Sequence, residues 1–177
     1  MQVYDHDTFK AVVLYIAWRT RQDPKFGRTK VAKALFYADF SAFAEEGKPL
    51  TGARYEHWEF GPFPPALYEV QEELVRAGVA KVTGGRETGR ESKLVPLGEP
   101  SETGLLAAWQ RALLDLQIDR LSESASWRVS DDSHEHPGWL LTADREEIPY
   151  ESALLAREAP SAAAMTIARQ RFAQLDD

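Results

Sequence analysis

The sequence predicts a mainly α-helical (α+β) fold: a single helical domain with a central buried helix and a small β-hairpin. Three observations support this class. An apolar stripe with helical spacing lies near the start of the chain, a second helical segment is apolar on nearly every side, and two short extended runs flank a glycine-rich tip. The chain has 177 residues, 44% of them hydrophobic, and no cysteine, so it can close one core without disulfides.

Two helices are predicted in the first quarter of the chain. Asp7 precedes the apolar stripe and is a residue type that caps helices, so the first helix is expected over about residues 7–21. Thr29 is the expected N-cap of the second helix. That helix ends where Gly47 can adopt the left-handed conformation and Pro49 prevents continuation.

The second helix carries one acid in apolar surroundings. Asp39 falls between a stripe of aliphatic residues and a stripe of phenylalanines. A helix that is apolar nearly all round lies inside a domain, and a carboxylate there needs hydrogen-bond donors. We therefore expect Asp39 to be largely buried and bonded to a neighbouring donor.

The middle of the chain predicts an extended stretch, a third helix and a hairpin. Residues 55–60 are typical of a short strand or extended loop, and the prolines at 64–65 suit the first turn of a helix that stops at Gly78. Residues 79–83 and 94–97 predict two strands joined by a long flexible tip. The third helix is expected to bury Leu67, Val70, Leu74 and Val75.

One long helix is predicted over about residues 101–121, and it is expected to pack on the second helix. A short helix around Trp127, a turn at Pro137 and Gly138, and another short helix ending at Leu155 follow. The long helix is expected to bury a broad face formed by Leu105, Leu106, Trp109, Ala112, Leu113 and Leu116.

We divide the chain into a domain at 1–157 and a C-terminal helical tail at 158–177. In the tail, an alanine-rich segment places four apolar residues on one stripe, which either docks on the domain or binds a partner. These residues are Met165, Ala168, Phe172 and Leu175.

Composition and charge exclude several classes of partner. The formal net charge is -7, which opposes nonspecific binding to nucleic acid. No apolar run is long enough to cross a membrane, and the first ten residues lack the pattern of a signal peptide. We expect a cytoplasmic protein that binds neither nucleic acid nor membrane, and its oligomeric state stays open.

The charge is nevertheless segregated, which leaves a DNA-binding regulator as an alternative. Residues 76–93 carry five basic and two acidic groups, and the order of elements is loosely that of a winged helix. The basic side chains of this wing would be Lys81, Arg86, Arg90 and Lys93. The third helix, which would enter the groove of DNA, carries Glu69, Glu72 and Glu73, and these would repel phosphates.

No catalytic motif is present, and we expect no catalytic residue, metal or cofactor. The potential metal ligands cluster at Asp131, Asp132, His134, Glu135 and His136. On a helix, however, His134 and His136 would point about 200° apart, and no His-Glu-x-x-His or Gly-x-Ser-x-Gly pattern occurs. A metal-dependent enzyme that uses Asp39 and His134 remains the second alternative.

The chain contains an ordered set of short motifs in two blocks. The first block contains a Tyr-x-Asp helix at 37–39, a Gly-x-Pro-x-x-Gly turn at 47–52, an aromatic stretch at 55–58 and a Gly-Pro-x-Pro helix start at 61–64. A second block has Ser133 and His134, then Trp139, then Ile-Pro-Tyr at 148–150. Together they resemble the SocA-like antitoxin family, whose domain is called Panacea, and the resemblance covers about residues 26–155.

The resemblance implies a mostly helical, non-catalytic antitoxin that neutralises a toxin encoded next to it by direct protein contact. The positions that match the family pattern would hold the fold or bind the toxin: Tyr37, Asp39, Tyr55, Trp58, Gly61, Pro62, Tyr68, Ser133, His134 and Trp139. We expect Tyr37, Asp39 and His134 to form one polar cluster. Toxin specificity is expected on variable surface, namely Arg86, Arg90, Met165 and Phe172.

Overall fold

The computed structural model describes residues 3–155 and confirms a mainly helical α+β fold. The predicted tail at 158–177, with Met165 and Phe172, lies outside the described residues, and Arg86 is described by its backbone alone. The α-helices are α1 (His6–Arg19), α2 (Arg28–Glu46), α3 (Ala66–Arg76), α4 (Ala108–Ser122), α5 (Ser126–His134) and α6 (Pro137–Leu140). The strands are β1 (Glu56–Trp58), β2 (Gly61–Phe63), β3 (Ala80–Gly85) and β4 (Arg90–Pro96).

Helix α1 begins one residue earlier than its sequence suggested. The N-cap is Asp5 and not Asp7, because the Asp5 carboxylate accepts hydrogen bonds from the backbone N–H of Thr8 at 3.0 Å and from its hydroxyl at 2.8 Å. The buried side of the helix runs from Phe9 to Ala17 and includes eight residues. No helix in the described range 3–155 is long and apolar enough to span a membrane.

Helix α2 is the central helix, as predicted. It contacts α1, α4, α5, β2, β4 and the C-terminal 3₁₀ helix at Tyr150–Leu155. Its predicted end is confirmed, since Gly47 has φ 68° and donates its N–H to Phe43 O. Its N-cap, however, is Gly27 rather than Thr29. The Glu91 carboxylate of β4 accepts the Thr29 N–H at 2.5 Å and so caps the helix from another segment.

Two antiparallel hairpins flank α3. The extended stretch at 55–60 contributes β1, and the unpredicted β2 pairs with it, with Glu56 opposite Phe63 and Trp58 opposite Gly61. Strands β3 and β4 pair from Ala80 opposite Pro96 to Gly85 opposite Arg90. They are longer than predicted, and a short 3₁₀ turn at Arg86–Thr88 replaces the long tip.

Helices α3 and α4 correct two predictions about burial. In α3, Leu67, Val70 and Leu74 are buried, but Val75 is 42% exposed. The predicted long helix is broken into a 3₁₀ helix at Ser101–Leu105 and α4. Helix α4 does pack on α2, but it buries Leu114, Gln117, Ile118 and Leu121, whereas Leu105 and Leu116 of the predicted face are exposed.

The chain after α4 closes over β1. The predicted helix around Trp127 is α5, and Pro137 begins helix α6 where a turn was expected. The segment that follows runs beside β1: His57 N donates to Glu146 O at 2.9 Å, and Ile148 N donates to Tyr55 O at 2.8 Å. The expected last short helix is a 3₁₀ helix at Tyr150–Leu155.

Candidate functional site: two buried clusters and a leucine groove

The first buried cluster surrounds the Asp39 carboxylate of α2. Asp39 is completely buried and accepts three hydrogen bonds, from the Thr51 N–H at 2.6 Å, the Thr51 hydroxyl at 2.5 Å and the Tyr55 hydroxyl at 2.7 Å. This confirms the expectation of a buried acid with named donors. The bonds join α2 to the extended segment that leads into β1.

Burial controls the protonation of this first cluster. It raises the pKa of Asp39, and the hydrogen bonds from Thr51 and Tyr55 oppose that rise in part. Burial and the neighbouring carboxylate also raise the pKa of the Tyr55 and Tyr150 hydroxyls above the usual range, so both stay protonated and donate. The Tyr150 hydroxyl donates to Ala53 O at 2.6 Å. The arrangement holds an acid in place, with its lone pairs directed at fixed donors.

The second buried cluster surrounds Lys33, one turn and a half before Asp39 on α2. The Lys33 side chain is fully buried, and its ammonium nitrogen donates to Pro62 O at 2.9 Å. Burial lowers the pKa of Lys33 to about 7. Gly61, at φ 89°, gives this amine its room: a Cβ there would lie 2.7 Å from Lys33 Nζ and would overlap the Ser133 hydroxyl.

An aromatic stack extends from the second cluster to the surface. The Trp139 ring lies between two imidazoles, with centroids 4.0 Å from His57 and 4.1 Å from His134. Its indole N–H donates to Trp58 O at 3.1 Å, which ties α6 to β1. Trp58 in turn stacks on Phe63, which contacts Tyr68 of α3. Burial lowers the pKa of His134, and the nearby Lys33 adds to this effect.

The expected single cluster of Tyr37, Asp39 and His134 is wrong. The ring of Tyr37 lies 5.0 Å from the guanidinium of Arg120 on α4, Asp39 bonds Thr51 and Tyr55, and His134 stacks on Trp139. Residues two positions apart on a helix project about 200° apart, so Tyr37 and Asp39 face different neighbours. Asp39 and His134, which the alternative of a metal-dependent enzyme would use together, contact different neighbours.

The acidic and histidine-rich stretch serves helix ends. His136 is the N-cap of α6, and its Nδ1 accepts the Gly138 N–H at 3.0 Å while the ring packs edge-on against Phe36 and Phe40. Burial lowers the pKa of His136 to about 4, so the ring is a neutral acceptor. Within residues 3–155, no group of three or more His, Cys, Asp or Glu side chains is placed to hold a metal ion.

The structure describes three of the four basic side chains that the predicted β3–β4 wing would use. Lys81 and Arg90 are exposed. Lys93 instead turns inward and donates to Thr20 O at 2.7 Å and to Asp23 O, which anchors β4 to the connector after α1. On α3, the exposed carboxylates of Glu69 and Glu72 oppose contact with phosphates.

An apolar groove lies between α6 and the C-terminal 3₁₀ helix. Its volume is about 660 Å³, its apolar wall includes Leu141, Pro149, Leu154 and Leu155, and its rim includes Glu146, Glu147 and Glu151. The three leucines are between 62% and 73% exposed. We call this surface the leucine groove, and sequence reasoning did not anticipate it.

Comparison with known proteins decides the family. The model of the family described as "Antitoxin SocA-like, Panacea domain" matches residues 31–140. The chain belongs to this family. No curated protein and no solved structure matches the chain.

The match places the buried clusters inside the Panacea domain and part of the leucine groove outside it. It begins within α2 and ends at the last residue of α6. Tyr150, whose hydroxyl donates to Ala53 O beside the first cluster, follows the matched range, as does the segment before it. The Panacea domain of this chain is therefore completed by α1 and by residues 141–155, which pack against it.

The sequence analysis did not predict that two lysines of α2 are buried. Lys30 and Lys33 are 0% and 1% exposed. Lys30 Nζ has no hydrogen-bond partner among the described residues and lies 5.5 Å from the Phe26 ring centroid. The available signal was their position, because a lysine on a helix that is apolar all round has no solvent face to occupy.

Proposed function

We propose that this chain is a non-catalytic antitoxin that neutralises a cognate toxin protein by direct contact in the cytoplasm. Membership of the SocA-like antitoxin family carries the proposal. The buried clusters support it, because the acid and the amine most suited to catalysis, Asp39 and Lys33, are both sealed from solvent. A reacting group must reach its substrate.

The surface that selects the toxin is proposed to lie outside the family pattern. The tip of the β3–β4 hairpin carries Arg86 and the exposed Arg90, and the C-terminal segment carries Met165 and Phe172. Arginine, aromatic and methionine side chains are enriched at protein interfaces. Members of one family that bind unrelated toxins need such variable contacts, because a shared buried cluster cannot discriminate between partners.

Co-expression with the protein encoded by the adjacent reading frame tests the proposal. The neighbour alone should arrest growth, this chain should restore growth, and the two purified proteins should elute as one complex. A harmless neighbour, or a toxic one that this chain neither binds nor restrains, would refute the proposal.

Charge reversal at the hairpin tip tests the contact surface. The double variant Arg86→Glu with Arg90→Glu should weaken the complex at least tenfold, since charged contacts at an interface set recognition. The matched control is Arg76→Glu, an exposed arginine at the end of α3, which should leave the affinity unchanged. Equal affinity for both variants would exclude the tip from the interface.

A further inference from the structure

The leucine groove exposes a contiguous group of apolar side chains. Leu141, Leu154 and Leu155 line a cavity of about 660 Å³ and are between 62% and 73% exposed. Single exposed leucines are ordinary on protein surfaces, whereas a contiguous group is a candidate docking surface. A segment with an apolar face would fit this surface.

The chain itself continues from the edge of this groove with a segment of that kind. Residues 156–177 follow Leu155, which lines the groove. Pro160 is a turn signal, and Met165, Ala168, Phe172 and Leu175 recur at helical spacing after it. The five residues 156–160 can span roughly 16 Å when extended, which is enough to turn the stripe back onto the groove.

Charge complementarity favours the same occupant. At about 100° per residue, Arg169 and Arg171 fall on either side of the apolar stripe, each roughly 80° from its centre. The rim of the groove is acidic, with Glu146, Glu147 and Glu151. Two of these acids are already engaged, since the Glu146 carboxylate accepts the Ala143 N–H at 2.7 Å and Glu147 pairs with Arg54 at 3.1 Å. Glu151 is therefore the rim acid best placed to meet an arginine of the segment.

We propose that residues 161–175 dock in the leucine groove of the same molecule, with Met165 and Phe172 on the leucines and the two arginines at the acidic rim. A tethered segment acts at an effective concentration in the millimolar range, so modest contacts suffice. The docking requires no toxin. A toxin that binds Met165 and Phe172 must first displace this segment, so these two residues can contact the toxin only after they leave the groove.

Disulfide trapping tests the docking, because the chain has no cysteine of its own. The double variant Leu141→Cys with Phe172→Cys is oxidised at micromolar concentration and analysed by mass spectrometry. The matched control is Leu105→Cys with Phe172→Cys, since Leu105 is 67% exposed and belongs to the 3₁₀ helix that packs on α1. The first pair should form an intramolecular bond at least tenfold faster than the control pair.

Two other outcomes would overturn the proposal. Equal rates for the two pairs would mean that the segment does not prefer the groove. Bonds formed between molecules, with dimers that increase with concentration, would assign the groove to a second copy. Neither outcome depends on toxin neutralisation, so failure of the docking is distinguishable from failure of the proposed function.

A charge swap provides the second measurement. Glu151→Arg should slow trapping of the first pair several-fold, and adding Arg169→Glu with Arg171→Glu should restore the rate, because the ion pairs are re-formed with opposite sign. Glu151 is exposed at the groove rim, and circular dichroism verifies that the variants fold. If none of these substitutions changes the trapping rate, the acidic rim does not contribute to docking.

Discussion

Replacement of the Asp39 carboxylate is the sharpest test of how this fold is held together. Asp39 accepts three hydrogen bonds of 2.5 to 2.7 Å while completely buried. Asp39→Ala removes the acceptor of all three. A buried donor left without an acceptor costs about 1–3 kcal/mol, and some of that cost is offset because the variant no longer desolvates an acid.

These terms predict that Asp39→Ala lowers the free energy of unfolding by about 4 kcal/mol. Asp39→Asn should cost less, about 2–3 kcal/mol, since one oxygen remains to accept and the hydroxyls can rotate toward the amide. Tyr55→Phe removes one donor of the three and should cost about 1–2 kcal/mol. The order of the three variants is as informative as their magnitudes.

Urea denaturation followed by circular dichroism measures all three, with the slope m expected to stay constant. Asp131→Asn is the control, because Asp131 is an exposed acid on α5, and its midpoint should not move. The reasoning fails if Asp39→Asn is as stable as the parent. A stable Asp39→Asn variant that no longer neutralises the toxin would instead make this acid a functional group.

Three further predictions concern the second cluster and the α6 cap. Gly61→Ala should cost about 2 kcal/mol more than Gly47→Ala, because both have positive φ but a Cβ at Gly47 meets nothing within 4 Å; equal urea midpoints would contradict this. Burial holds the pKa of Lys33 near 7, below its usual 10.5, so stability present at high pH is lost as pH falls toward 7, by up to about 1.4 kcal/mol per pH unit. Urea titrations from pH 7.5 to 9.5 should give a steeper slope in the parent than in Lys33→Met, in which burial still lowers the pKa of Lys30 and Lys93, and parallel curves would refute the prediction. Burial lowers the pKa of His136 to about 4, so the free energy of unfolding should fall by about 3 kcal/mol as pH falls from 6.5 through 4. His136→Asn keeps a helix cap and should remove this pH dependence. An unchanged pH dependence in the variant would contradict the prediction.

Local signals predicted most of the fold. Helix α2 was placed by its own residues, since Gly47 and Pro49 mark its end and its apolar faces mark it as central. The hairpin strands β3 and β4 were recognised from their extended runs. Their true length depends on cross-strand pairing at Gly85 and Arg90, which a single strand does not reveal.

Helix α4 shows where periodicity misleads. Gly104 stands just before the break between Leu105 and Ala108, but the helical spacing of the leucines outweighed this signal. At the start of α4, Gln110 accepts the Ala107 N–H at 2.8 Å. The predicted face was correct for Leu106 and wrong for Leu105 and Leu116, because leucines occur on several sides of the helix. Leu116 is exposed while Leu114 is buried, and their hydrophobicity is identical. Only the packing against α2 distinguishes them.

The sequence identified many residues of the candidate site but did not predict which of them contact each other. The link from Asp39 to Tyr55 spans 16 residues, within reach of a short connection after α2. The stack of His57, Trp139 and His134 and the approach of Ser133 to Gly61 join segments more than 70 residues apart. Residue type suggested polar partners for each, but long-range pairing decides which partner each one meets.

The residues of the two buried clusters hold the fold together. Asp39, Tyr55, Gly61 and Ser133 lie within the range that the family model matches, and each is buried and engaged with another segment of this chain. Their spacing in the sequence follows from the fold, since each contact fixes two segments relative to each other. Buried residues of this kind constrain the fold and leave the exposed residues free to vary. We therefore expect substitutions in the two clusters to reduce stability and neutralisation together, whereas substitutions at the hairpin tip reduce neutralisation alone.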